Sequence, residues 1–138
     1  MTLYINTTGA EKVALALGKA GKLLAKREFK AKYQQSEKLL PAIDLLLQKA
    51  GIKLKNVENI VVVAGPGPFT ATRIGVTVAN ALAYALKINI VGVKASEFGG
   101  SEELIKIGDE RLRQIKDKRG IMAVEPFYDQ EPNITIKK

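Results

Sequence analysis

An α/β domain built on a mixed sheet is the fold class this sequence predicts, and three observations carry it. Apolar and charged residues alternate with period two over residues 22–33, and an unbroken, mostly β-branched run fills 60–64. Two segments with apolar residues at helical spacing separate the later strands. The chain has 138 residues, 46% of them apolar, enough for one domain that buries roughly two thirds of its unfolded surface.

Taken in order, Tyr4-Ile5 opens a short strand that stops at the turn-forming run Asn6-Thr7-Thr8-Gly9. Val13 to Leu17 reads as a second strand, and Gly18-Lys19-Ala20-Gly21 as a hairpin loop whose glycines take positive φ. In the third strand Ala25, Phe29, Ala31 and Tyr33 share one face, while Lys22, Lys26, Glu28, Lys30 and Lys32 share the other. That pattern predicts a half-buried antiparallel strand whose lysines discourage edge-to-edge pairing. Ser36 is expected to cap a helix running to about Ala50, with Gly51 as its stop. Ile60-Val61-Val62-Val63-Ala64 follows as a central strand covered on both faces. Gly65-Pro66-Gly67-Pro68-Phe69 breaks it, a second helix runs from about Thr70 to Leu86, and Ile88 to Val93 is another interior strand. The order β-β-β-α-β-α-β predicts a meander leading into crossovers, hence one mixed five-stranded sheet within residues 1–98. Beyond Gly99-Gly100, Ser101 to Arg119 holds six basic and five acidic residues. Residues 99–120 therefore read as a charged, solvated helix or linker with i,i+4 pairs. Residues 121–138, with Pro126 and Pro132, read as an extended tail that docks through Ile121, Val124, Phe127 and Tyr128.

Composition excludes several chemistries. With neither cysteine nor histidine, there is no disulfide framework, thiolate metal site, Cys nucleophile or imidazole base. The stretch from Asn59 to Leu86 carries one charge, Arg73, but is broken by Pro66 and Pro68, so no membrane span is expected. The N-terminus lacks a basic n-region before an apolar block, and a cytoplasmic protein is the expectation.

The helices carry more apolar surface than one sheet covers. Helix one sets Leu39, Leu40, Ala42, Ile43, Leu46, Leu47 and Ala50 on an arc of about 160°, against ~100° for a peripheral helix. In helix two the polar residues Arg73, Thr77, Asn80 and Tyr84 crowd into roughly 60°. Ala71, Gly75, Ala79 and Ala83 recur every four positions, a ridge low enough for a neighbouring helix. Either helix one alone covers helix two, or both present a shared apolar face to another subunit.

The glycine-rich turn 65–70 lies where a helix N-terminus can receive an anion, but two prolines remove donors and no Gly-Lys-Ser/Thr follows. A rigid structural turn is the simpler reading, with Thr70 and Thr72 as caps and Arg73 orienting the loop. Metal-dependent chemistry on such a sheet needs carboxylates at strand ends. The first strand ends in Asn6, and Glu37 and Asp44 lie on the solvated side of helix one, which argues against catalysis. Net charge is +8, and residues 19–32 carry six basic groups against one acid. Lys19, Lys22, Lys26, Arg27, Lys30 and Lys32 are either a protective solvated edge or a phosphate-tracking patch with salt-dependent RNA binding.

Three stretches together resemble the bacterial TsaB (YeaZ) family. Ala64-Gly65-Pro66-Gly67-Pro68-Phe69-Thr70-Ala71-Thr72-Arg73-Ile74-Gly75 is similar to its Gly-Pro-Gly-Ser-Phe-Thr-Gly-Leu-Arg-Ile-Gly signature. Ser36-Glu37-Lys38-Leu39-Leu40-Pro41 is similar to its His-Ser-Glu-x-Leu-Leu-Pro helix start, and Leu3-Tyr4-Ile5-Asn6-Thr7 to its Ile-Asp-Thr-Ser strand. Glu125-Pro126-Phe127-Tyr128 resembles a Pro-x-Tyr near that family's end. Asn6 stands where the family has Asp, Gln35 where it has His, Pro68 where it has Ser, and Ala71-Thr72 where it has Gly-Leu.

The resemblance implies a ribonuclease H-like (actin/Hsp70-like) domain and a part in forming N6-threonylcarbamoyladenosine at position 37 of tRNA. It implies a non-catalytic scaffold that binds the catalytic, metal-carrying paralogue TsaD through a bundle of helices from both subunits. Here the interface would be Leu39, Leu40, Ile43, Leu46, Leu47, Ile74, Gly75, Val78 and Leu82, beside the signature loop Gly65, Pro66, Gly67, Phe69, Thr70 and Arg73. The family has a second lobe, for which only about 40 residues remain after residue 98. A one-lobe form is expected to bind no cofactor by itself, to touch tRNA indirectly or weakly, and to pair with itself when TsaD is absent. Recruitment of the ATPase TsaE stays open. A basic module delivering tRNA to a modification enzyme is the competing reading.

Overall fold

The computed structural model describes residues 1–9, 11–31, 34–115 and 124. Strands β1 (Thr2–Asn6), β2 (Lys12–Lys19) and β3 (Lys22–Lys30) form an antiparallel meander. Helix α1 (Gln35–Ala50) crosses back so that β4 (Asn59–Gly65) pairs parallel with β1. Helix α2 (Phe69–Leu86) leads to β5 (Asn89–Lys94), parallel to β4, and α3 (Ser101–Arg113) follows. The sheet order is β3-β2-β1-β4-β5, the mixed five-stranded sheet expected.

Alternation sorts the central strands between two cores. Leu3 and Ile5 of β1 and Ile60, Val62 and Ala64 of β4 pack with α1 and α2. Tyr4, Val61 and Val63 point the other way and pack with Leu104, Ile105 and Leu112 of α3. The structure is thus three-layered, and the β-branched run of β4 is buried on both faces because each face has its own helical cover.

Local chemistry sets the element ends. The hairpin loop is Ala20-Gly21, with φ of 53° and 77°, the paired positive values of a two-residue turn that matches strand twist. Gly18 is not part of it. It sits in β2 at a register shift, where a Cβ would come within 3.0 Å of Tyr4 Cε1 and 3.1 Å of the Lys22 carbonyl oxygen. At α1 the start differs from expectation: Gln34 is the N-cap residue, no side chain caps the helix, and Ser36 lies in its first turn. Gly51 stops it as expected, left-handed at φ 71°, its N–H donating to Gln48 O while Ile52 N–H donates to Leu47 O.

Helix α3 is less solvated than its charges suggested. Leu104, Gly108 and Leu112 recur at i, i+4, i+8 and are buried beside Ile105. Gly108 lies so close to the sheet that a Cβ would come within 2.9 Å of both Tyr4 Cε2 and Val61 Cγ2. Its polar side carries the expected i,i+4 pair, Arg113 to Asp109 at 3.2 Å. Burial, with Asp109 nearby, pushes the Tyr4 phenol up to about 12, and its hydroxyl donates to the Ile105 carbonyl at 3.3 Å.

Arg111 ties α3 to the sheet edge, donating to the Gly92 carbonyl at 2.9 Å and pairing with Glu97, whose other oxygen accepts the Lys94 N–H at 2.8 Å. The hydrogen bond from Arg111 holds the Glu97 carboxyl below the usual carboxylate range. A depressed folded value contributes stability above the unfolded value of about 4.3, and that contribution is lost as pH falls through the folded one. Both side chains are about one-third exposed, so the effect is screened. Glu97→Gln is expected to lower stability at pH 7 by at most about 1 kcal/mol. In denaturant titrations the wild type and variant should converge as pH falls through the lowered value of the folded Glu97 carboxyl.

Candidate partner-docking face

The turn after β1 and the loop before α2 lock together. Asn6 Oδ1 accepts from the Thr8 N–H at 2.9 Å and the Thr8 hydroxyl at 2.6 Å. Thr7 Oγ1, buried, donates to the Ala71 carbonyl at 2.6 Å. Gly65 is left-handed at φ 122° and joins Pro66 through a cis peptide. Gly67 packs flat on Thr8, where a Cβ would sit 2.7 Å from Thr8 Cβ and 2.9 Å from its Cα and O. Only a glycine allows so close an approach. These contacts fix where α2 starts and which side it turns outward.

Thr72, in the first turn of α2, is fully buried and its hydroxyl has no hydrogen-bond partner among the described residues, although its N–H donates to Pro68 O at 2.9 Å. Thr72→Val keeps the shape and removes the unpaired group, so it is expected to raise stability by about 1 kcal/mol in thermal or urea unfolding. Unchanged or lower stability would show that the hydroxyl is satisfied.

Much of the expected partner face lies inside this chain. Leu39, Ile43, Leu46 and Leu47 are in the core with the sheet, and Gly75 is buried on Thr7. These five therefore stabilise the chain itself and cannot be free contact residues. The 71-75-79-83 ridge also faces inward: all four residues are buried, Gly75 on Thr7 and Ala79 and Ala83 in the core shared by the sheet and α1. What remains at the surface is narrower. Leu40 is 51% exposed and Phe69 41%, while Ile74, Val78 and Leu82 are half-buried at the edge of the core. A groove of about 400 Å³ runs between the start of α1 and the outer side of α2, lined by Ser36, Phe69, Thr70, Arg73, Ile74, Thr77 and Val78. Its floor is apolar, its rim hydroxyl-bearing, with the Arg73 guanidinium at one side.

Of the remaining candidates, Gly65, Pro66 and Gly67 belong to the locked turn, whereas Phe69, Thr70 and Arg73 line the groove. Tyr84, in the polar strip of α2, is 80% exposed. Lys19, Lys22, Lys26 and Lys30 are exposed on the β2–β3 hairpin, and Lys32 lies outside the described residues. Arg27 is half-buried, its guanidinium 5.8 Å from the centre of the Phe29 ring. Two further grooves set Lys22 beside Glu102 and Lys106, and Lys26 beside Glu102 and Glu103. Of the tail residues singled out, Val124 does pack on the main core; Ile121, Phe127 and Tyr128 lie outside the described residues. Among the described residues no helix is long and apolar enough to cross a membrane, and no three His, Cys, Asp or Glu side chains gather as a metal cage would require.

The family model for TsaD, tRNA N6-adenosine threonylcarbamoyltransferase, matches residues 29–98, which take in α1, the locked loop and α2. The tRNA threonylcarbamoyladenosine biosynthesis protein TsaB of Bacillus subtilis is 33% identical over 97 residues, 70% of this chain and 42% of that protein. The Haemophilus influenzae protein of the same name is 26% identical over 83% of this chain and 52% of its own length. Among solved structures, YeaZ from Pseudomonas aeruginosa superposes with a TM-score of 0.62 at 32% identity, over 67% of this chain and 43% of that one. The chain thus spans about half or less of the length of these relatives. It shares with them the ribonuclease H-like, actin/Hsp70-type α/β domain.

Proposed function

Because the chain belongs to the TsaB (YeaZ) family, within the group that the TsaD family model matches, we propose that it is a non-catalytic scaffold subunit in threonylcarbamoyladenosine biosynthesis on tRNA. It binds TsaD through the groove between α1 and α2. One observation carries the reading: half-buried Ile74 and Val78 and the exposed Phe69 leave apolar surface open in one groove beside the core. Apolar side chains at the centre of a groove with a hydroxyl and cationic rim have the anatomy of a protein interface, a dry centre inside a wetter border. A helix from the partner laid along the groove would remove Ile74, Val78 and Leu82 from water.

Catalysis then belongs to TsaD. Asn6, at the strand end where metal-dependent relatives of this fold would need a carboxylate, is instead committed to holding Thr8. The lysines of the hairpin give tRNA at most a weak, secondary contact; Glu102 and Glu103 line the groove that holds Lys26. Without TsaD, two copies are expected to cover the same face. The test is co-expression with the host's TsaD followed by a native mass measurement. A complex containing one of each chain is the expected species, and a chain that elutes without TsaD at micromolar concentration would overturn the proposal.

A further inference from the structure

At the β5 end of the sheet a side chain grips a distant part of the backbone. Asn80 of α2, half-buried, makes two hydrogen bonds to one residue: Nδ2 donates to the Val124 carbonyl at 2.8 Å, and Oδ1 accepts from the Val124 N–H at 2.8 Å. A side-chain amide used in this way offers its donor and its acceptor together, as a neighbouring strand does, and so reads backbone rather than side chain. Side-chain size is read at Gly92 of β5. A Cβ there would stand 2.8 Å from Val124 Cγ1 and 3.6 Å from Ala64 Cβ, so the missing methyl is the space the valine fills. The Gly92 carbonyl is meanwhile held by Arg111 of α3. Val124 packs into the core beneath α1 and α2, whereas Ile115, just past α3, packs into the core on the other face of the sheet. The two residues therefore straddle the sheet.

We propose that Asn80 and Gly92 form a socket for an extended peptide segment with a small branched side chain. This chain fills it in cis at Val124, which the socket holds against α2 and β5. The bound residue presents its N–H and C=O together to Asn80, and a side chain of valine's size fills the Gly92 notch. This latch does not depend on the docking groove, which lies on other residues of α2.

Hydrogen–deuterium exchange of the Val124 amide, followed by NMR on the full chain, tests it. Asn80→Ala is expected to speed exchange at Val124 about tenfold or more, the loss of two ordinary hydrogen bonds. Gly92→Ala is expected to do the same with Asn80 intact, because the added methyl takes the place of Val124 Cγ1. Gly92→Ala combined with Val124→Ala gives that space back and should restore slow exchange, a coupling that a general loosening of the fold would not produce. TsaD co-purification should stay at wild-type yield in all three variants, which separates this latch from the docking reading. Val124 exchange unaffected by Asn80→Ala, or a double variant no better protected than Gly92→Ala alone, would overturn it.

Discussion

Val78→Asp should abolish capture of TsaD while the chain stays folded. Val78 is half-buried at the rim of the core and lines the groove, so in the free chain a carboxylate there still reaches water. In a closed interface it would not. A charge left unpaired in a dry contact costs several kcal/mol, and at about 1.4 kcal/mol per tenfold that is a loss of a hundredfold or more in affinity. Since Val78 also touches the core, Thr77→Arg provides the second arm: Thr77 is exposed in the free chain and lines the same groove. It should weaken capture with the melting temperature unchanged. Wild-type yields of TsaD with both variants would remove the groove from consideration.

Gly75→Ala should destabilise the chain, against the usual rule for helices. Inside a helix that change normally adds about 1 kcal/mol of stability. Here the new methyl would run into the Thr7 hydroxyl and stand 2.9 Å from Thr7 Cγ2 and 3.1 Å from its Cβ. Thr7 cannot swing away without breaking its bond to the Ala71 carbonyl. Overpacking of this kind costs about 1–3 kcal/mol, enough to reverse the sign, and Gly75→Val should be worse. Urea unfolding reads the result directly. A more stable Gly75→Ala would mean that the β1 turn yields easily and does not fix the position of α2.

Strands and layers were legible in the sequence because their signals are local. Period two in β3 and the apolar run of β4 report how many faces are covered, and Gly51 reports a left-handed stop. The face of α3 was obscured because its charges dominate the composition, although Leu104, Gly108 and Leu112 already lay at helical spacing. The docking face was legible only in outline. An arc of apolar residues states how much must be buried but not by what. The sheet and α2 cover Leu39, Ile43, Leu46 and Leu47, leaving Leu40 and the outer edge of α2. Likewise the 71-75-79-83 ridge signals close approach, yet nothing in its spacing distinguishes a neighbouring helix from the Thr7 turn. The grip of Asn80 on Val124 joins residues 44 apart and leaves no periodic trace.

A photo-crosslinking residue at position 77, in the intact chain co-expressed with TsaD, tests the docking account most directly, with the same residue at position 26 on the basic hairpin as comparison. Thr77 lines the groove between α1 and α2, and Lys26 lines a groove beside α3. A covalent adduct to TsaD from position 77 and none from position 26 is the expected outcome. An adduct from position 26 alone would contradict it.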